Sequence, residues 1–137
     1  MNDQEQLIRK LLTECRLIAL VGASPKPARA SHRVMEFLLA RGYRVIPVNP
    51  RYAGQQILGQ EVRASLAEIA SPIDLVDVFR NVEAAGEVID EAIAVGARAV
   101  WLQLDIVDEV GAERARRAGL EVVMDRCPAI EIPRLGL

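Results

Sequence analysis

Leu17-Ile18-Ala19-Leu20-Val21, followed at once by Gly22-Ala23-Ser24-Pro25-Lys26, decides how this chain reads. Five consecutive apolar side chains leave no polar face, so a strand formed here must be covered on both sides. Gly22 stops the run, and the stretch that follows, to Ala30, is rich in Pro, Ser and basic residues. Val34, Phe37 and Leu38 then fall on one face of a helix. Arg41 and Gly42 close it, with a cation in the last turn and a glycine free to take the left-handed C-cap conformation. The unit predicted is strand, loop, helix.

Outward from that unit the pattern repeats. On the N-terminal side, Leu7, Ile8, Leu11 and Leu12 recur with helical spacing and predict an amphipathic helix ending near Cys15. On the other side a strand is expected over 44–48, broken by Asn49 and Pro50. The loop over 54–59 has room for a brief extended piece at Gln56 and Ile57, and Ser65 with Glu68 forms a capping-box pattern for a small helix that Pro72 stops. Strands over 74–79, 99–104 and 121–124 then alternate with helices over 82–95 and 108–118, each helix ending at a glycine, Gly96 or Gly119. Strands alternating with helices imply right-handed crossovers. The expectation is an α/β fold, a Rossmann-like doubly wound parallel sheet of about five strands with helices on both faces, in a single domain over 1–137.

Bulk properties agree. A chain of 137 residues has no spare length for a separate catalytic domain. With 51% hydrophobic but only 4% aromatic residues, the core must be built from Val, Ile, Leu and Ala. Its 17 basic and 19 acidic residues nearly cancel, which argues against a general nucleic-acid surface. Charges at Asp3, Glu5, Arg9, Lys10 and Glu14 interrupt the N-terminus, so neither a signal peptide nor a membrane span is expected, and the protein is placed in the cytoplasm. Two distant cysteines, Cys15 and Cys127, and one histidine, His32, match no metal-site spacing and are expected to be reduced and metal-free.

In an open parallel sheet, ligands bind outside the carboxyl ends of the strands, where strand order reverses. The residues standing there are polar, cationic or amide-bearing: Gly22-Ala23-Ser24-Pro25-Lys26, Asn49-Pro50-Arg51, Phe79-Arg80-Asn81, Gln103-Leu104-Asp105 and Asp125-Arg126-Cys127-Pro128. A helix N-terminus at such an edge suits a phosphate, with Ser31 as its expected N-cap. The first loop lacks the G-x-G-x-x-G pattern of dinucleotide sites, and Ser24, Lys26 and Arg29 offer side-chain contacts instead. After the second strand, where an NAD site needs an acid, stand Asn49, Pro50 and Arg51. A cation there fits a ribose that carries its own phosphate, as in coenzyme A or NADP. Arg80 is a further candidate for phosphate, and the Phe79 ring can pack with one edge while a face meets the ligand. Asn81 is the expected N-cap of its helix, Trp101 is expected to pack, and no catalytic constellation is visible. For Cys127 two roles compete, packing at a strand end and a mixed disulfide with a thiol-bearing ligand.

Five of these segments carry a resemblance: Val21-Gly22-Ala23-Ser24-Pro25, Arg44-Val45-Ile46-Pro47-Val48-Asn49-Pro50, Asp77-Val78-Phe79-Arg80, Trp101-Leu102-Gln103 and Met124-Asp125-Arg126-Cys127-Pro128. In this order the chain resembles the small bacterial CoA-binding proteins, related in fold to the nucleotide-binding domain of succinyl-CoA synthetase alpha subunits. The resemblance implies coenzyme A as ligand, with the Gly22-Ala23-Ser24 loop near the pyrophosphate and the Asn49-Pro50 turn near the adenosine. Many relatives have glycine where this chain has Asp105; an acid there could repel a phosphate, and the preferred expectation is that it caps the following helix.

The leading expectation is a binder of coenzyme A or acyl-CoA without chemistry of its own, using Gly22, Ala23, Ser24, Lys26, Arg29, Ser31, Asn49, Pro50, Arg51, Phe79, Arg80 and Gln103. A small-molecule ligand is implied, no nucleic acid or membrane, and a protein partner is compatible with it. Against it stand an NADP- or acyl-CoA-dependent enzyme subunit that needs a partner chain, and an interaction module with a vestigial crevice.

Overall fold

In the computed structural model, which describes residues 2–137, helix α1 (Asp3–Glu14) delivers the chain into strand β1 (Leu17–Val21). The Asn2 side chain starts α1 by accepting the Glu5 N–H at 2.7 Å. Helix α2 (Ala30–Ala40) returns the chain to β2 (Arg44–Val48), with Gly42 at φ 92° beyond its end. A short antiparallel pair, β3 (Gln56–Ile57) and β4 (Gln60–Glu61), turns on Leu58 and Gly59, both at positive φ as a tight hairpin requires. The chain then alternates: β5 (Leu75–Val78), α3 (Val82–Ala94), β6 (Ala99–Leu102), α4 (Glu109–Arg117), β7 (Glu121–Val123) and α5 (Pro128–Arg134).

The main sheet is parallel with strand order β2-β1-β5-β6-β7. The chain leaves β1 toward β2 on one side, then crosses back to build β5 on the other, so the order reverses between β1 and β5. Helices α1, α2 and α5 cover one face through Ile8, Leu11, Met35, Leu38 and Ile132, while α3 and α4 cover the other through Ala85, Ile89, Ala112 and Ala115. All five residues of β1 are buried, as an inner strand of a two-faced sheet must be. β2 lies at the edge, which accommodates Pro47 because a strand needs no N–H donor on its open side. None of the described helices is long and apolar enough to cross a membrane.

Several local expectations change. The small helix after Ser65 is a single 3-10 turn, Leu66–Glu68; Glu68 accepts the Ala64 N–H at 3.0 Å, but the Ser65 hydroxyl makes no cap bond. Ser31 does not cap α2: Arg29 holds that position, and Ser31 lies inside the helix, buried. Asp105 does not cap α4, which Asp108 caps by accepting the Gly111 N–H at 2.9 Å. Asp105 instead sits at φ 68°, a left-handed conformation that costs glycine nothing. Helix α5 has no counterpart among the elements expected from the sequence, which end with the strand over 121–124. Pro128 occupies the first turn, where no N–H is needed.

Candidate functional site: a cationic cleft at the strand-order reversal

The carboxyl ends of β1, β2 and β5 enclose a cleft of about 330 Å³ lined by Gly22, Ala23, Ser24, Lys26, Arg29, Ala30, Ser31, Asn49, Arg51, Tyr52 and Phe79. It lies where strand order reverses, the position that topology alone assigns to a ligand. Its lining holds Lys26, Arg29 and Arg51 and no carboxylate. None of the three cations belongs to an ion pair among the described residues, whereas Arg98, Arg114, Arg117 and Arg134 are each held by a carboxylate. On a chain of net charge −2, three unneutralised cations around one cleft make it locally positive, which attracts anions.

Backbone and side-chain bonds fix the cleft walls. The Gly22 N–H donates to Val48 O at 2.9 Å, joining the loops after β1 and β2. Asn49 strengthens that junction with both ends of its amide: Nδ2 donates to Ala23 O at 2.9 Å, and Oδ1 accepts the Arg51 N–H at 3.0 Å. Asn49 thus builds the cleft as well as lining it. Ser24 Oγ accepts the Lys26 N–H at 3.1 Å, a local turn that leaves its hydroxyl proton to donate. Arg51 lies over the Tyr52 ring, 5.6 Å from its centroid, which restrains the guanidinium beside the cleft. Gly22 is required by packing: at φ 91°, a Cβ there would collide with the Phe79 carbonyl, and the Arg80 stem passes 3.1 Å away.

Helix α2 begins in the cleft without a side-chain cap and with no acidic residue in its first turn. The unpaired N–H groups of a helix start and its partial positive charge attract an anion. Ala30 and Ser31, the first residues of the helix, line the cleft.

A second cavity of about 320 Å³ adjoins the first and shares Ala30 and Phe79 with it. Val34, Leu104, Ile106 and Cys127 line it, together with Arg80, Asn81 and Gln103. Beneath it, Gln103 Nε2 donates to Asp77 Oδ1 at 2.7 Å. Asp77 is fully buried, and desolvation pushes its carboxyl up to about 7 despite the Gln103 bond, which favours the charged form. Burial also raises the Cys127 thiol, which disfavours the thiolate that a mixed disulfide would need and favours the packing role.

The structure therefore brings Gly22, Ala23, Ser24, Lys26, Arg29, Ser31, Asn49, Arg51 and Phe79 together, and places Arg80 and Gln103 in the adjoining recess. Pro50, expected among the ligand contacts, lines neither; it opens the 3-10 turn Pro50–Tyr52, whose Arg51 and Tyr52 do line the cleft. Asn81 caps α3 by accepting the Ala84 N–H at 2.9 Å, and Trp101 is buried with Nε1 donating to Arg126 O at 2.8 Å, both as the sequence predicted. His32 lines neither cavity. The sequence missed Tyr52, whose only signal was an aromatic beside Arg51, and Asp77, whose signal was a lone acid in an otherwise apolar strand. Both cysteines are free, and among the described residues no group of three or more His, Cys, Asp or Glu could hold a metal ion.

Comparison with known proteins identifies the family and the fold. The CoA binding domain family model matches residues 16–133. The uncharacterized protein YneT of Bacillus subtilis (strain 168) is 36% identical over 126 residues, 92% of either chain. A hypothetical protein from Pyrococcus horikoshii OT3, of known structure, is 40% identical with a TM-score of 0.91, over 97% of this chain and 92% of that one. The dinucleotide-forming acetyl-coenzyme A synthetase 1 of Ca. Korarchaeum cryptofilum, solved in complex with phosphate and ADP, matches in fold, at TM-score 0.70 and 22% identity. It covers 89% of this chain, which spans 27% of that one. With its five-stranded parallel sheet and the family match across nearly its whole length, the chain belongs to the CoA-binding domain family.

Proposed function

We propose that the protein binds coenzyme A, or an acyl-CoA, in the cationic cleft, and serves as a carrier or sensing module without chemistry of its own. One observation carries this reading: Lys26, Arg29 and Arg51 meet without ion pairs around the uncapped start of α2, in a cleft free of carboxylates. Such a site favours an anionic, phosphate-bearing ligand, because uncompensated cations and an uncapped helix start in one concavity favour phosphate over a neutral molecule. The α2 start with Lys26 and Arg29 suits the pyrophosphate. Arg51, beyond β2 where NAD sites carry an acid, suits the additional ribose phosphate.

Calorimetric titration with CoA, dephospho-CoA and NADPH tests the assignment. CoA is expected to bind about tenfold or more tightly than dephospho-CoA, since a charge-assisted hydrogen bond is worth about 1.5–3 kcal/mol. Equal affinity for those two removes Arg51 from its role. Tighter binding of NADPH than of CoA transfers the site to a reductase-type subunit, and no nucleotide-induced rise in melting temperature leaves only an interaction module.

A further inference from the structure

The recess beside the cleft differs from it in chemistry. Val34, Phe79, Leu104, Ile106 and Cys127 give it walls of carbon and sulfur, within a volume of about 320 Å³. Leu104 is 48% exposed and Ile106 is only half-buried, so both leave apolar surface in contact with water. Scattered singly, such residues need no explanation; converging on one concavity, they mark a ligand groove. Gln103 supplies a fixed polar group. Its side chain is buried, and with Nε2 donating to Asp77 its carbonyl oxygen is left as an acceptor without a side-chain partner among the described residues.

Cleft and recess adjoin, with Ala30 and Phe79 in both linings. From one to the other the lining changes from cations and the uncapped start of α2 to mainly apolar side chains, with Gln103 among them, Arg80 at its polar margin and Asn81 engaged in capping α3. A CoA thioester changes in the same order, from phosphates, through an arm with amide N–H groups, to an alkyl chain. At about 330 Å³ the cleft alone is at the small end of ligand sites, and the recess nearly doubles the space.

We infer that the recess is an acyl subsite, which takes the alkyl chain of a short- to medium-chain acyl-CoA whose nucleotide lies in the cationic cleft. This rests on the nucleotide assignment proposed above. Gln103 accepts an amide N–H of the arm, and Leu104 and Ile106 close over the chain, exchanging water for carbon. Each methylene buried in this way raises affinity by up to about fourfold, until the chain outgrows the recess.

The test titrates the full chain with CoA and with its acetyl, butyryl and hexanoyl thioesters. Affinity is expected to climb with chain length, hexanoyl-CoA binding about tenfold or more tightly than CoA. Leu104→Ser, at an exposed position where folding is not at risk, is expected to cut the hexanoyl-over-CoA ratio by about threefold or more. CoA and hexanoyl-CoA binding within about twofold of each other would overturn the acyl subsite and leave the nucleotide site standing. An undiminished ratio in Leu104→Ser would overturn its location. Failure of every member of the series to bind defeats the nucleotide assignment, and the subsite with it.

Discussion

Gln103 Nε2 donates a 2.7 Å hydrogen bond to Asp77 Oδ1, joining the end of β6 to a carboxyl group that no solvent reaches. Asp77 is flanked in register by Leu20 on β1 and Trp101 on β6, and its second oxygen is buried without a partner among the described residues. Replacing a hydrated carboxylate by this environment favours the neutral acid, which accounts for a pKa pushed up to about 7.

Stability should therefore depend on pH through this residue. The folded-state pKa lies above the ordinary 3.8, so between these values the native state binds more protons than the unfolded chain. The stabilising contribution of the proton is complete below about pH 4 and is lost as pH rises through about 7. Asp77→Asn removes the ionisation. Its stability relative to the parent protein is expected to rise by about 2 to 3 kcal/mol between pH 5 and pH 8, measured by denaturant unfolding at both pH values. A constant difference would show that Asp77 is charged in the native state throughout that range.

Lys26 and Arg51 line the cleft and have no ion pair to lose among the described residues, so substituting them should test the proposed ligand site without a salt bridge being lost from the fold. Lys26→Ala with Arg51→Ala is expected to weaken CoA binding by about tenfold to a hundredfold, and to make the residual binding less sensitive to salt. The melting temperature of the ligand-free protein should stay within about 2 °C of the parent. Calorimetry and thermal unfolding read the two effects separately.

Asn49 bonds to Ala23 O and the Arg51 N–H through opposite ends of one amide, so its loss should reach the fold as well as the site. Asn49→Ala is expected to cost about 1–2 kcal/mol of stability before any ligand is added, from two lost hydrogen bonds. Asn49→Asp, which sets a carboxylate against the Ala23 carbonyl, should cost at least as much. An unchanged unfolding midpoint for Asn49→Ala would mean that the side chain serves ligand contact alone.

Asp105 occupies a left-handed conformation at φ 68°, with its N–H donating to Asp125 Oδ1 at 2.8 Å. Asp tolerates this region better than most residues, and glycine takes it freely. Asp105→Gly is expected to remain within about 1 kcal/mol of the parent protein, because relief of the backbone is offset by greater freedom of the unfolded chain. Asp105→Val, β-branched at the same φ, should lose about 1–2 kcal/mol. Chemical denaturation of the pair decides it; equal stability would show that the loop relaxes to negative φ.

Much of the architecture could be read from the order of residues. The apolar run Leu17–Val21 could only be a strand covered on both faces. Gly42, Gly96 and Gly119, all at positive φ, mark helix ends by a requirement of the backbone itself. The segments that line the cleft were legible because the carboxyl ends of parallel strands share one edge of the sheet, whatever their lateral order. Helix α5 was not legible: its seven residues, Pro128–Arg134, include two prolines and are too few to show a clear helical period.

Hydrophobic periodicity and turn chemistry are local, and through them the sequence by itself determined which segments become strands and helices and which loops carry cations. Only the tertiary structure decided that β1 lies between β2 and β5, that Asn49 ties two loops into one wall, that Asp77 loses its water to Gln103 and the core, and that an apolar recess opens beside the cationic cleft. Those facts depend on which surfaces meet across the sheet. Burial and desolvation arise from neighbours distant in the chain, and no local pattern encodes them.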